Sequence, residues 1–502
     1  MRRSRILPGW SRAVAVLGAG LVVGALASAA PAKEAQGAGT LRVVLAAQVN
    51  VDPIVASRGG QWVWGTFLDP LIRVDGDGRL TNRGIITAWR RVNPTTWRFT
   101  IRQGVRFTNG EPGNAAAVAN SIMLNKFTSG AILSTYFQNV ASARAVNART
   151  VVVRTALPQF NFANQLSTVF LIPPKYYKEV GTRGFNNAPI GSGPFKVESL
   201  QPGRSISVVP NTDYWGERPR LSRVTFTYSP DPSQRLALVQ SGAADVGMDL
   251  NPAQAIQAES ARLKVLARAT TLKLVLFQWA NKPPLNDIKL RRAIALAIDR
   301  DQIVKGIFQG RARADGGLLN VIPGQKPPQV VKADKAAARR LVTGSPSVTL
   351  NYPTDRYPNM PEVAQAIASM LQDVGIRVTL VPESYISGVV KVLGGQMSGL
   401  WLTGAVPNVP DANFLAQGFL TKNSITKNCV DARFDKWTAE ALARKDEAAA
   451  KPLYDRMNTL AVVNLACYVP LYGAITYVAM RHDVKGVDFT KLNTVYWDKA
   501  TN

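Results

Sequence analysis

Strand-like and helix-like segments alternate in both halves of this chain, and that alternation constrains the fold more than any other feature. In the first half, Leu41–Ala46 is a short apolar run and Thr96–Arg102 alternates polar with apolar residues. Thr150–Thr155, Ile206–Pro210 and Val224–Tyr228 repeat the strand pattern, and Ile190–Val197 reads as a turn entering a strand. Trp62–Leu71 has helical spacing, Ala115–Phe127 reads as an Ala-rich helix, Gln234–Gly242 reads as a helix ending on a glycine cap, and Asn109-Gly110 marks a turn. In the second half, Leu272–Trp279 is a long apolar strand followed by an amphipathic helix, Asp287–Ile298. Val348–Tyr352 and Ile376–Val381 flank a helix at Pro361–Val374. Cys429–Val463 reads as helical and Pro470–Val478 as a closing strand, whereas Leu400–Leu415, rich in Gly, Pro and Asn, reads as a loop. The pattern predicts an α/β fold of two lobes, with the late strand returning to the earlier lobe.

The first residues stand apart from that pattern. Arg2, Arg3, Arg5 and Arg12 precede an uncharged stretch, Ala13–Ala29, which ends in Ala27-Ser28-Ala29 and Ala30-Pro31-Ala32. A basic start, an apolar middle and small-x-small exits describe an export signal over 1–32, cleaved near 29–32. The competing reading, a membrane anchor, is disfavoured by the short Gly/Ala-rich stretch. A lipoprotein would need a cysteine at the cut, and the first one is Cys429. The expectation is a periplasmic protein.

Charge narrows the partners. The chain has 60 Lys+Arg against 33 Asp+Glu, a formal +27. Removal of four arginines with the export signal leaves about +23. The basic residues are scattered, and the densest clusters are pairs such as Arg291-Arg292, so no nucleic-acid partner is expected. An anionic ligand, an anionic membrane surface nearby or a generally basic proteome would each fit the balance. One histidine, His482, and two cysteines leave little for a metal site, and no metal or other cofactor is expected. In an exported chain Cys429 and Cys467 are expected to form a disulfide, the alternative being two separate buried thiols.

Five stretches carry a resemblance. They are Leu41–Pro53, Thr87–Pro112, Ile190–Gly216, Leu238–Gly247 and Asn281–Val304. In that order they resemble the family 5 extracellular solute-binding proteins, the peptide- and nickel-type receptors of ABC importers. The resemblance implies a two-lobed periplasmic-binding-protein fold of class II type, α/β, with an extra subdomain in the first lobe. Lobe I would comprise 33–270 plus 480–502, including the extra subdomain at about 55–189, and lobe II 271–479. LKLVLFQWAN and PLYGAITYV would be the two crossovers. The implied function is capture of a small organic solute (oligopeptide-like, opine-like or a sugar conjugate) by hinge closure. A monomer would then deliver the solute to an inner-membrane ABC permease complex. Sensing or chaperoning by the same capture is the alternative. An exported hydrolase lacks support, since no Gly-x-Ser-x-Gly elbow is present.

The same resemblance nominates ligand contacts. Gln48, Asn50 and Asp52 lie in the loop after the first strand, and Gln61 and Trp62 in the first helix. Arg356 sits where the peptide branch holds a ligand carboxylate, for which a guanidinium fork is suited. Trp401, Thr403 and Asn413 fall in the stretch corresponding to the amine-binding loop, with Tyr136 and Tyr385 as further candidates. Ala405 occupies the position where an acid would take a ligand amine, which argues against a free-amine peptide.

Overall fold

The computed structural model describes residues 39–48, 50–55, 60–131, 133–321, 327, 329–406, 409 and 411–502. The export signal lies outside the described residues, as do Val49 of the expected ligand loop and residues 56–59. Among the described residues no helix is long and apolar enough to cross a membrane.

One mixed sheet of eleven strands runs through the molecule. Its first half places Thr40–Leu45 parallel to both Arg223–Tyr228 and Val246–Leu250, with Ser205–Pro210 and Phe195–Gln201 extending it as antiparallel neighbours. Its second half places Ser347–Pro353 parallel to both Arg377–Glu383 and Leu400–Ala405. Two long antiparallel strands, Lys264–Gln278 and Tyr468–Met480, connect the halves. Lys264–Ala269 pairs with Met480–Ile475 beside Val246–Leu250, while Lys273–Gln278 pairs with Leu400–Ala405. The register between the two long strands shifts between Ala269 and Lys273, where one half gives way to the other.

Each half has its own core. Leu41, Val43, Phe67, Phe195, Phe226, Val246 and Trp497 pack together in the first, and Leu274, Ile294, Leu350, Val363, Ile367 and Leu402 in the second. A separate four-stranded antiparallel sheet (Ile86–Asn93, Thr96–Ile101, Thr150–Thr155, Val140–Asn147) is covered by the helix Ala115–Phe127. Its core residues Phe99, Ile122 and Phe162 belong to one cluster with Trp401, Phe414, Phe434 and Met457 of the second half.

The motifs behind the resemblance have structural explanations. A Cβ at Gly191 would stand 1.7 Å from the Phe67 carbonyl oxygen, and one at Gly193 would stand 2.6 Å from its carbonyl carbon. Only glycine permits this approach. It brings Ser192 Oγ, Trp215 Nε1 and Tyr214 Oη within 2.9, 2.9 and 3.3 Å of the buried Asp69 carboxylate, to which each donates. Burial pushes Asp69 up to about 6 despite these donors. In the second half, Arg291 donates to Leu285, Asn286 and Leu465 carbonyls, and Arg300 to Val331 and Pro470. These arginines tie their helices to the segment entering the second long strand. The sequence Asn281–Val304 thereby acts as a clamp.

Most expected elements are present, with corrections. Leu400–Leu415 is not a loop: Leu400–Ala405 is an inner strand and Ala412–Phe419 a helix. The strand lies between Lys264–Gln278 and Ser347–Pro353, so its apolar run is covered on both sides and shows no alternation. Asp411 starts the helix by accepting from Asn413 N at 2.9 Å. The strand read as Leu272–Trp279 spans Lys264–Gln278, its leading part mixing charged and apolar residues and only partly buried. The helix read over Cys429–Val463 is two helices, Ala432–Ala443 and Glu447–Asn458, followed by a wide turn at Thr459–Asn464. Asp446 caps the second through Ala449 N. Cys429 and Cys467 are joined as a disulfide with Cα atoms 5.8 Å apart.

Candidate functional site

Parallel strands in the two halves end in loops, and ligands of open α/β sheets bind outside such carboxyl ends. In the first half these ends are the Gln48–Asp52 loop and the turns after Tyr228 and Leu250. Arg235 fastens the rim, donating to the carbonyls of Ser229, Pro230, Met248 and Asp249 at 2.5–2.9 Å. In the second half they are Thr354–Pro358, Ser384 and the segment after Ala405.

The first-half candidates divide into exposed tips and supports. Gln48 and Asn50 are exposed. Asn50 nevertheless braces the loop, its Oδ1 accepting from Asp52 N and its carbonyl from Trp64 Nε1. Asp52 is fully buried and accepts from Ile54 N and Tyr177 Oη at 2.9 and 2.8 Å. Burial raises its carboxyl above the usual range. Gln61 and Trp62 are wedged against the C-terminal segment: Trp62 Nε1 donates to Asn493 O, and Thr494 Oγ1 lies 3.5 Å from Gln61 Oε1. Trp497 Nε1 donates in turn to Trp62 O.

The second-half candidates gather more closely. Arg356 is exposed, with its guanidinium carbon 5.3 Å from the Tyr385 ring centroid and 6.0 Å from that of Tyr357. Trp401 and Thr403 share one face of the inner strand. Trp401 packs against Phe277 and Trp279, and Thr403 Oγ1 is buried without a partner among the described residues. Tyr136, from the small sheet's unit, stacks on Phe414 with centroids 3.8 Å apart. One residue before Phe414, Asn413 is fully buried, and both its amide atoms lack partners among the described residues.

Sequence reasoning missed a buried polar seam beside that stack. Asn161 donates to Asp411, which joins the small sheet's unit to the second half. Asn161 Oδ1, both amide atoms of Gln165, Gln417 Oε1, Glu447 Oε2 and Tyr454 Oη are buried without partners among the described residues. Asp411 is pushed up chiefly by burial, and Glu447 by burial and then by the Asp411 carboxylate. Helical spacing pairs Asn413 with Gln417, but each residue reads separately as ordinary surface. Asp249 was missed too: it is the penultimate residue of the short strand Val246–Leu250, and its φ is 50°. Burial pushes it up to about 6, while Arg235 and Arg356 pull it back.

The crossover carries its own charge cluster. Lys273 is buried, with Nζ 3.0 Å from Gly317 O and 3.2 Å from Asp315 Oδ2. Burial lowers it to about 8. His482, the single histidine, is exposed, and its Nε2 contacts the Arg262 carbonyl.

Comparison with known proteins places this geometry. The chain is 24% identical over 371 residues to the nickel-binding protein NikA of Staphylococcus aureus, covering 72% of this chain and 73% of that one. It is 24% identical over 487 residues to the nickel-binding periplasmic protein of Escherichia coli, covering 86% and 88%. The structure of a dipeptide-binding protein from Pseudoalteromonas in complex with Met-Leu superposes with a TM-score of 0.81 at 19% identity, over 92% of this chain and all of that one. This likeness shows the two-lobed fold. The family model for bacterial extracellular solute-binding proteins, family 5, matches residues 82–427, and the chain belongs to that family.

Proposed function

We propose that this chain is the solute-capture receptor of an ABC importer, acting in the periplasm after loss of residues 1–32. One observation carries the reading: two sets of parallel-strand ends in one sheet, connected by two long strands whose mutual register breaks between Ala269 and Lys273. In this reading lobe I is 33–270 plus 480–502, with the extra subdomain at about 55–189, and lobe II is 271–479. The break is the hinge. A solute held by Gln48 and Asn50 on one side, and by Arg356, Tyr385, Trp401, Thr403 and Asn413 on the other, gains its full contacts only when the lobes approach. Its differential affinity for the closed state drives closure. Asp52, Gln61 and Trp62 shape the first rim from beneath. Tyr136 brings the extra subdomain to the same place.

The ligand is a small organic solute. The relatives named above bind nickel or a dipeptide, and the described residues of this chain gather no group of three His, Cys, Asp or Glu. The closed complex would dock on a membrane permease and release its cargo there, which makes the chain a carrier rather than an enzyme.

Small-angle X-ray scattering of the mature chain tests hinge closure. The radius of gyration is expected to fall when a stabilising solute is added. An unchanged profile with solute demonstrably bound would rule closure out.

A further inference from the structure

The positive charge of the chain concentrates in one segment. Residues 82–178 hold twelve Lys and Arg and a single acid, Glu111. Glu111 is already engaged: it accepts from Lys175 N and Tyr176 N at 3.0 Å and from Asn109 Nδ2 at 2.8 Å. The segment contains the four-stranded antiparallel sheet described above. Trp97, Phe99, Val151 and Val153 of its two central strands are buried in the core on one face. Strand alternation turns the intervening residues to the other face. Arg90, Arg98, Arg144 and Arg154 stand there, all exposed.

Register makes these four a patch. Arg90 pairs with Arg98, Arg98 with Val152, and Val152 with Arg144, so one row crossing all four strands carries three arginines. Arg154 lies two residues beyond Val152 and is diagonal to both Arg98 and Arg144, a separation of about 7–8 Å. Among the described residues none of the four forms an ion pair. Like charges directly opposite, as at Arg90 and Arg98, destabilise a sheet, so the fold gains nothing from the arrangement. Between the arginines the same face carries Ala88, Thr96, Thr100 and Ser142, small residues that leave it even. The two edge strands add exposed valines, Val92 and Val146.

We infer that this arginine face is a contact surface for an anionic phospholipid bilayer. Guanidinium forks take phosphate oxygens in pairs, and an even face bearing several of them meets a sheet of headgroups at once. Each basic residue close to such a surface adds to the attraction, which decays within a Debye length. Exposed valines at the edges suit the same boundary better than they suit open water. Held this way, the chain stays beside the membrane in which an importer permease sits. The inference stands apart from solute capture, and its test needs no solute.

The test is flotation of the mature chain with phosphatidylcholine vesicles, with and without phosphatidylglycerol, at low and high salt. Binding is expected only where phosphatidylglycerol is present, and is expected to be lost at high salt. A variant carrying Arg90→Gln, Arg98→Gln, Arg144→Gln and Arg154→Gln is expected to partition at least about thirtyfold less, with no fall in melting temperature. A matched variant removes the same charge from exposed arginines elsewhere, through Arg204→Gln, Arg218→Gln, Arg220→Gln and Arg340→Gln. It is expected to lose less than about threefold. If the first variant fails to fold, Arg144→Gln alone, on an edge strand, is expected to lose at least about threefold. Equal losses in the two fourfold variants would reduce the effect to net charge and overturn the inference. Wild-type binding that ignores phosphatidylglycerol overturns it too. Binding of polyglutamate without binding of vesicles would assign the face to an acidic protein and likewise overturn it.

Discussion

Asp69 and Asp411 are both buried aspartates whose carboxyls burial raises to about 6, yet they sit in opposite kinds of surroundings. Around Asp69 the hydrogen bonds are filled: Ser192, Tyr214 and Trp215 converge on it, and two glycines let the chain approach closely enough. Around Asp411 they are not. Asn161, Gln165, Asn413, Glu447 and Tyr454 all carry buried polar atoms without partners among the described residues. An unfilled buried polar group costs about 1–3 kcal/mol, so a saturated hub reads as scaffold. An unsaturated seam where the small sheet meets the second half reads instead as a place completed by something else.

The comparison can be broken most directly at the saturated hub. Asp69→Ala leaves three donors unpaired and is expected to cost about 3–5 kcal/mol, read from urea unfolding. A loss below about 1 kcal/mol would deny that the hub is scaffold.

Next in size is the disulfide. Nearby, Asn428 donates to the Gln278 carbonyl and accepts from Tyr468 Oη. Replacing both Cys429 and Cys467 with serine is expected to cost about 2–4 kcal/mol in the same assay.

Protonation sharpens the seam. Glu447 is raised above its ordinary 4.5, so the folded state holds its proton more tightly than the unfolded one. That contribution is complete below the ordinary value and is lost as pH rises through the raised one. Asp69 and Asp249, raised to about 6, follow the same sign at lower pH. Melting temperature is therefore expected to fall between roughly pH 5 and roughly pH 8, and Glu447→Gln to flatten the alkaline part of that slope. A variant with the wild-type slope would remove Glu447 from the account.

The smallest expected effect on stability separates the two regions most finely. Asn413→Leu removes two unpartnered amide atoms, so the solute-free chain should change by less than about 1 kcal/mol while solute binding weakens at least about tenfold. A large stability loss with unchanged binding would make Asn413 scaffold after all.

These contrasts also explain what the sequence could reveal. Alanine content found Ala115–Phe127 and an apolar run found Thr150–Thr155, both at their observed bounds. Apolar periodicity misread Leu400–Ala405, since a strand covered on both sides has no alternation to detect, and its glycine suggested a loop. The motifs of the resemblance marked the scaffold, where glycines and buried arginines have narrow tolerances. The candidate contacts were legible only as stretches of chain. Asn161 and Glu447 come from distant segments that meet at Asp411 across a tertiary interface, and Asp249 stands out only through its backbone conformation; neither feature leaves a local pattern.

Capture of a solute between the two halves is the central claim, and native mass spectrometry of protein purified from the periplasm without denaturation tests it most directly. The account predicts a discrete mass excess, lost on denaturation, from a small organic molecule. A bare mass, together with no change in melting temperature or radius of gyration on adding peptides, opines or sugar conjugates, would contradict it.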